Sequence, residues 1–258
     1  RDSGRTAQQI ESIMKKIILS LLLLCAAVGI QAQTDRDACW LNATTGAWEW
    51  GFFKDFAVHD ARQWQYASVK EGRKKTAVTL RSGKETLQLE IRYQNDSVCT
   101  ITVNDGKAQT YRLWDSAKSI LSYLPADTAA SRPCQFHENS VTLRGYLPDF
   151  PNQNLEYIYY ERFQDTQKIA NVPTDSIGRF ELSIPVLGRT EVLFRIQSHM
   201  FSLLLSPQSE CFLWIKGNSF LMMGEDGRIN HELSDIQESF FVQPKTLRYP
   251  NVVSDSVC

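Results

Sequence analysis

Apolar and polar residues alternate one by one through most of this chain, and that period restricts it to half-buried β-strands. Successive side chains of a strand point to opposite faces, so a run of period two buries one face and wets the other. Leu87, Leu89, Ile91 and Tyr93 share one parity, and Gln88, Glu90 and Arg92 the other. Val78 and Leu80 alternate with Thr79 and Arg81 just upstream. A strand over 98–103 follows, then Asn104-Asp105-Gly106, residues that accept the backbone of a tight turn, then a strand through Tyr111 and Leu113. The spacing predicts a β-meander over about 43–114.

Alternation lapses between Asp115 and Asn139, where Pro125 and Pro133 bracket small residues, and this stretch reads as a linker. Beyond it, runs at 141–147, 155–162, 180–184, 192–196, 201–205 and 211–215 belong to about seven short strands, the pattern of a small antiparallel sandwich. Only the last stretch changes period. Ile229, Leu233, Ile236 and Phe240 form one stripe of an amphipathic helix, and Pro244 ends it. The expected fold class is therefore mainly β. Two small antiparallel modules, a meander (33–114) and a sandwich-like unit (140–224), flank a linker at 115–139. A helix and the start of a helical connection follow at 225–258.

The first methionine, Met14, precedes Lys15, Lys16 and an apolar run over 17–30. A cationic start, a hydrophobic stretch and a small residue at the cut are the layout of a secretory signal. We expect a signal at 14–32 with cleavage after Ala32, leaving Gln33 first, and read 1–13 as an upstream extension. The run falls short of the roughly 18 residues of a spanning helix, so no stable membrane span is expected after cleavage. The mature chain is expected in the periplasm or cell envelope. Cys25 follows Leu24, where a lipid-anchor motif wants a small residue. Asp255-Ser256-Val257-Cys258 carries no domain-closing signal, so a fragment is expected.

Charge and motifs exclude several functions. With 28 Lys plus Arg against 29 Asp plus Glu, there is no electrostatic footprint for nucleic acid. No G-x-S-x-G, H-E-x-x-H, Walker loop or G-x-G-x-x-G occurs. His59, His137, His199 and His231 lie at no metal-ligand spacing from one another. The sequence thus names no catalytic, cofactor-binding or metal-binding residue and implies no cofactor. No C-x-x-C joins Cys39, Cys99, Cys134, Cys211 and Cys258. Cys99 alternates with Ile101 and Val103, and Cys211 with Leu213 and Ile215, so both are expected in a core. Cys39 and Cys134 fall in less regular segments.

The remaining polar features have ordinary readings. His59-Asp60, on an extended segment, is expected to point to opposite faces. His231 and Asp235 read as a solvent-facing pair on the helix, Glu225-Asp226-Gly227 as a turn before it, and Arg73-Lys74-Lys75 as a solvated turn. Asn42-Ala43-Thr44 and Asn95-Asp96-Ser97 match the glycosylation sequon.

The aromatics stand out. Trp48, Trp50, Phe52, Phe53, Phe56, Trp64 and Tyr66 crowd one short segment. The shared parity of Trp48, Trp50 and Phe52 favours the core of a small β module; the rival reading is a sugar-stacking platform.

Several stretches together resemble a known family. They are Thr45-Gly46-Ala47-Trp48, Gly51-Phe52-Phe53, Asp55-Phe56-Ala57-Val58 and Trp64-Gln65-Tyr66. Further on come Val141-Thr142-Leu143-Arg144-Gly145-Tyr146, Thr174-Asp175-Ser176-Ile177-Gly178-Arg179-Phe180, and Met223-Gly224-Glu225-Asp226 before Ile229-Asn230-His231-Glu232-Leu233. The chain is similar to the N-terminal region of exported TlpA-like thiol–disulfide oxidoreductases of Gram-negative bacteria. There a β-rich region precedes helices and a thioredoxin-fold domain with a C-x-x-C. The thioredoxin domain is absent here, so no catalytic residue carries over. The resemblance implies a non-catalytic exported module that positions a redox domain or engages a protein partner. The alternative is a stand-alone envelope module that binds glycans or other surface components.

Overall fold

The computed structural model describes residues 37–72, 75–126, 139–161 and 166–236. The expected signal and upstream extension, Arg73, Lys74, the linker from 127 to 138 (with Cys134 and His137), Phe240, Pro244 and Cys258 lie outside them. The fold is mainly β, as the alternation requires.

The meander becomes a barrel. Its strands are β1 (Ala38–Asn42), β2 (Trp48–Phe52), β3 (Phe56–His59), β4 (Arg62–Glu71), β5 (Thr76–Ser82), β6 (Glu85–Asn95), β7 (Val98–Val103) and β8 (Gln109–Leu113). Each pairs antiparallel with the next, and β1 pairs with β8 through Trp40↔Leu113 and Asn42↔Tyr111, so the sheet closes without an edge. An eight-stranded barrel is just wide enough for side chains to fill. Trp50, Trp64, Leu80, Leu89, Cys99, Ile101 and Tyr111 fill this one.

Three bulges interrupt the barrel strands, at Glu49, Ala67 and Gln94, and the first two re-aim the lining. Trp40 pairs with Trp50 but Leu41 with Trp48, so Glu49 is the extra residue and the parity reverses across it. Trp50 and Phe52 therefore pack with the barrel interior, whereas Trp48 joins a cluster on the outer side, against the shared parity expected from the sequence. In β4, Tyr66 pairs with Leu80 and Ser68 with Thr79, leaving Ala67 unpaired. Inner parity passes from Trp64 and Tyr66 to Val69 and Glu71.

The second module has β9 (Asn139–Tyr146), β10 (Asn154–Glu161), β11 (Thr166–Pro173), β12 (Arg179–Val186), β13 (Thr190–Ile196), β14 (His199–Leu205), β15 (Glu210–Lys216) and β16 (Ser219–Gly224). They form two four-stranded sheets, ordered β11-β10-β13-β14 and β12-β9-β15-β16. All pairs are antiparallel except β9 with β15, which run parallel. Val141, Leu143, Ile184, Phe194, Leu203 and Leu213 belong to the core they share.

Barrel and sandwich meet across a buried seam. Five consecutive residues of β15, Cys211 to Ile215, are buried. Cys211, Leu213 and Ile215 face the sandwich core, while Phe212 and Trp214, of opposite parity, pack with Leu41, Trp48, Phe53, Phe56 and Val58 of the barrel. The Ala61 N–H reaches the Met223 sulfur at 3.1 Å across the same seam. The described part of the expected linker is not a free tether: a 3₁₀ turn at Ile120–Ser122 buries Ile120 in this cluster.

One helix, α1 (Gly227–Ile236), closes the described chain. Asp226, just before it, is buried and accepts the Ser206 N–H (2.8 Å) and the hydroxyls of Ser206 (2.6 Å) and Ser209 (2.8 Å). Asn230 is fully buried: its side-chain oxygen takes the Leu204 N–H and its NH2 donates to the Leu204 carbonyl, both at 2.8 Å. His231 is buried too, with Nε2 3.1 Å from the Met222 carbonyl oxygen, and burial lowers its pKa from 6.5 to about 4. The expected solvent-facing His231–Asp235 pair is therefore not formed; exposed Asp235 instead accepts the Ser119 hydroxyl. The helix turns Asn230 and His231, more than Ile229 or Leu233, toward the sheets because β14 and β16 offer backbone groups that need partners.

Candidate functional site

The two ends of the barrel differ. At one end polar side chains join into a plug. The Tyr111 hydroxyl lies 2.9 Å from Glu49 Oε2 and 2.8 Å from Gln109 Oε1, and Asn42 Nδ2 donates to Glu49 at 3.0 Å. The His59 ring stacks on Trp50 with centroids 3.7 Å apart and planes 1° apart, its Nδ1 3.0 Å from the Glu49 carbonyl oxygen. Asn42 is spent on this plug and on its own turn, where its oxygen accepts the Thr44 and Thr45 N–H groups.

The other end is open and holds a cavity of about 570 Å³. β4 and β6, at 10 and 11 residues, outrun β1 and β2, at 5 each, and raise a wall on one side. Trp40, Val78 and Ile91, all buried, form the floor. Half-buried Phe52, Tyr66, Val69 and Leu113 form walls, with Val69 brought inward by the bulge at Ala67. Glu71, Lys75, Gln94, Asn95 and Asp96 stand exposed around the rim.

Polar groups near the walls are partly committed. The Tyr66 hydroxyl donates to the Phe53 carbonyl at 2.9 Å, and burial pushes its pKa well above the ordinary value. Lys75 pairs with Glu90 at 2.7 Å. Tyr93 leans over the mouth, 39% exposed, its ring centroid 6.1 Å from that of Trp40; burial of its remainder pushes its hydroxyl up to about 12. This arrangement offers apolar surface at depth and hydrogen-bonding groups at the lip. It has the form of a receptacle.

The aromatic cluster thus divides three ways. Trp48, Phe53 and Phe56 hold the seam, Trp50 and Trp64 fill the barrel, and Phe52 and Tyr66 line the cavity, which Phe53 also borders. Sequence reasoning missed Trp40 and Tyr93, which lie outside the dense segment. Their signal was only their parity, Trp40 with Ala38 and Tyr93 with Ile91.

Other expected features fall elsewhere. His59 and Asp60 do meet, at 3.4 Å, because Asp60 (φ +51°) and Ala61 (φ +57°) form a tight turn rather than an extended segment. They sit at the plugged end. Cys99 and Cys211 are fully buried on strand faces, and burial raises both thiols to about 12. Cys39 lies in β1, not in an irregular segment; it is buried and its thiol also pushed up. Among the described residues no three of His, Cys, Asp and Glu converge as a metal site, and no helix is long and apolar enough to cross a membrane.

No family model matches the chain, and no curated protein or solved structure shows significant similarity to it, so nothing in these comparisons links it to TlpA-like oxidoreductases.

Proposed function

We propose that this chain is a non-catalytic binding protein of the cell envelope, whose barrel captures a small ligand at its open end. The observation that carries the reading is the asymmetry of the barrel. One end is sealed by the Glu49–Tyr111–Gln109 plug, and the other leaves about 570 Å³ between aromatic and aliphatic walls. Barrel mouths are recurrent ligand sites, and the volume suits a drug-sized molecule. Support for the envelope location is the signal-like layout from Met14 to Ala32. Support for a redox partner is the set of stretches that resemble TlpA-like proteins. Thiol exchange in such a pairing would come from a separate thioredoxin-fold domain, since Cys39, Cys99 and Cys211 are buried.

The test is a backbone amide NMR titration with three ligand classes: ring amphiphiles, oligosaccharides and fatty acids. At least one class should shift amides of Tyr66, Val69, Gly72 and Tyr93 while leaving Ala43 and Gly83, at the plugged end, in place. If no class perturbs the open end, the barrel is a structural spacer and the proposal fails.

A further inference from the structure

Resting on that reading, we propose that the ligand is a compact amphiphile: an apolar ring inserted into the barrel mouth, with its polar group held at the rim. Three features select this class.

Depth in the cavity is nearly all carbon. Val78, Ile91, Val69, Leu113 and Phe52 present no polar side-chain atom, the Tyr66 hydroxyl is already given to the Phe53 carbonyl, and the polar side-chain atoms left at depth are the Thr76 hydroxyl and the Trp40 indole N–H. A saccharide carries a hydroxyl on nearly every ring carbon, and each one buried without a partner opposes binding. Stacking on exposed Tyr93 does not compensate for that loss at depth. An apolar ring suffers no such loss.

The cavity is also shallow. Below the floor the barrel is filled by Trp50, Trp64, Leu80, Leu89 and Ile101, each no more than 4% exposed, and the far end is plugged. A long acyl chain has no path downward. A ring system, short and wide, matches the space.

The walls suit ring faces and edges. Trp40 and Tyr93 stand 6.1 Å apart with planes tilted by 50°, and Phe52 and Tyr66 face the same space. Aromatic groups pair best in offset or edge-to-face arrangements at such separations. The rim then supplies the polar complement: Gln94 and Asn95 amides and the Glu71 and Asp96 carboxylates, all exposed.

The experiment uses the full chain and three probes: N-phenyl-1-naphthylamine, cellobiose and palmitate. Tryptophan-to-naphthyl energy transfer reports binding of the first, and competition reports the other two. Two variants fill the mouth from walls four strands apart in the closed order, Val69→Trp on β4 and Leu113→Trp on β8. Naphthylamine should bind with Kd on the order of micromolar, and each filled variant with an unchanged melting temperature should lose at least about tenfold. Should either variant fail to fold, the other variant and the parent's amide shifts at Tyr66 and Tyr93 test the same site. Cellobiose or palmitate binding at the mouth while naphthylamine does not would overturn the ligand class and leave the binding-module reading standing. Naphthylamine binding that both filled variants retain would overturn the site. Silence from all three probes at the open end would defeat both.

Discussion

Truncating Phe212 probes the seam that turns two β modules into one body. The side chain is fully buried, with the Trp48 ring centroid 6.0 Å away and the Phe56 centroid 6.4 Å away. It lies on the face of β15 opposite Cys211, Leu213 and Ile215, so Phe212→Ala leaves the sandwich core in place and hollows the junction. Buried Phe→Ala changes cost about 3–5 kcal/mol, the sum of lost transfer energy and a cavity that relaxes only in part. With a urea m-value of roughly 2–3 kcal/mol/M for a body of this size, the midpoint should fall by about 1–2.5 M. Urea melts followed by tryptophan fluorescence and far-ultraviolet circular dichroism are the assay. The parent should melt in one step by both probes, because the seam couples the modules; the variant should melt earlier and lose that coincidence. A midpoint change equivalent to less than about 0.5 kcal/mol is what a surface substitution gives. That result would mean the outer face of β15 is wet and the seam does not exist.

Three further outcomes are expected. Gly145→Ala should destabilise by about 1–3 kcal/mol in the same melts, because an added Cβ would lie 2.2 Å from a Phe180 ring carbon; parent-like stability would show that the ring moves aside freely. Burial holds the His231 pKa at about 4 against 6.5 in the unfolded chain, so above pH 6.5 both states are neutral and the residue adds no pH dependence. Between pH 6.5 and 4 the unfolded state takes the proton first, and stability should fall by about 1.4 kcal/mol per pH unit, about 3 kcal/mol in all. His231→Gln should remove that component of the acid slope, and an identical slope in parent and variant would refute it. Cys39, Cys99 and Cys211 should resist iodoacetamide at pH 8 in the native protein and react in urea, read by peptide mass mapping; rapid native labelling of any of the three would contradict their burial.

Local order was legible in the residues, and long-range order was not. The alternation of Leu87 to Tyr93 and of Phe180 to Ile184 identifies strands because period two is written in neighbours. Closure of the meander depends on Trp40 meeting Leu113, and nothing local records a pairing across so much chain. The bulges at Glu49 and Ala67 reverse parity without a glycine or proline at the bulged position to announce them, so plain alternation puts Trp48 on the face of Trp50 and Val69 on the face opposite Tyr66. The seam did leave a trace. Cys211-Phe212-Leu213-Trp214-Ile215 and Phe220-Leu221-Met222-Met223 are apolar on both parities, which a strand half exposed to water does not need. The cavity left little, because it gathers single residues from several strands, each obeying ordinary alternation.

The side-chain amide of Asn230 has a consequence beyond the anchoring of α1. The strand it grips, β14, is the last of its sheet, and its sequence from His199 to Leu205 holds no acidic side chain, no lysine or arginine and no proline. Bare strands of this composition recruit copies of themselves, since their free N–H and C=O groups pair as readily with another chain as with their own. By accepting the Leu204 N–H and donating its own N–H to the Leu204 carbonyl, Asn230 occupies the place that the next strand would take. The helix is thus a guard on solubility, and a chain whose helix detached would have a sheet able to grow.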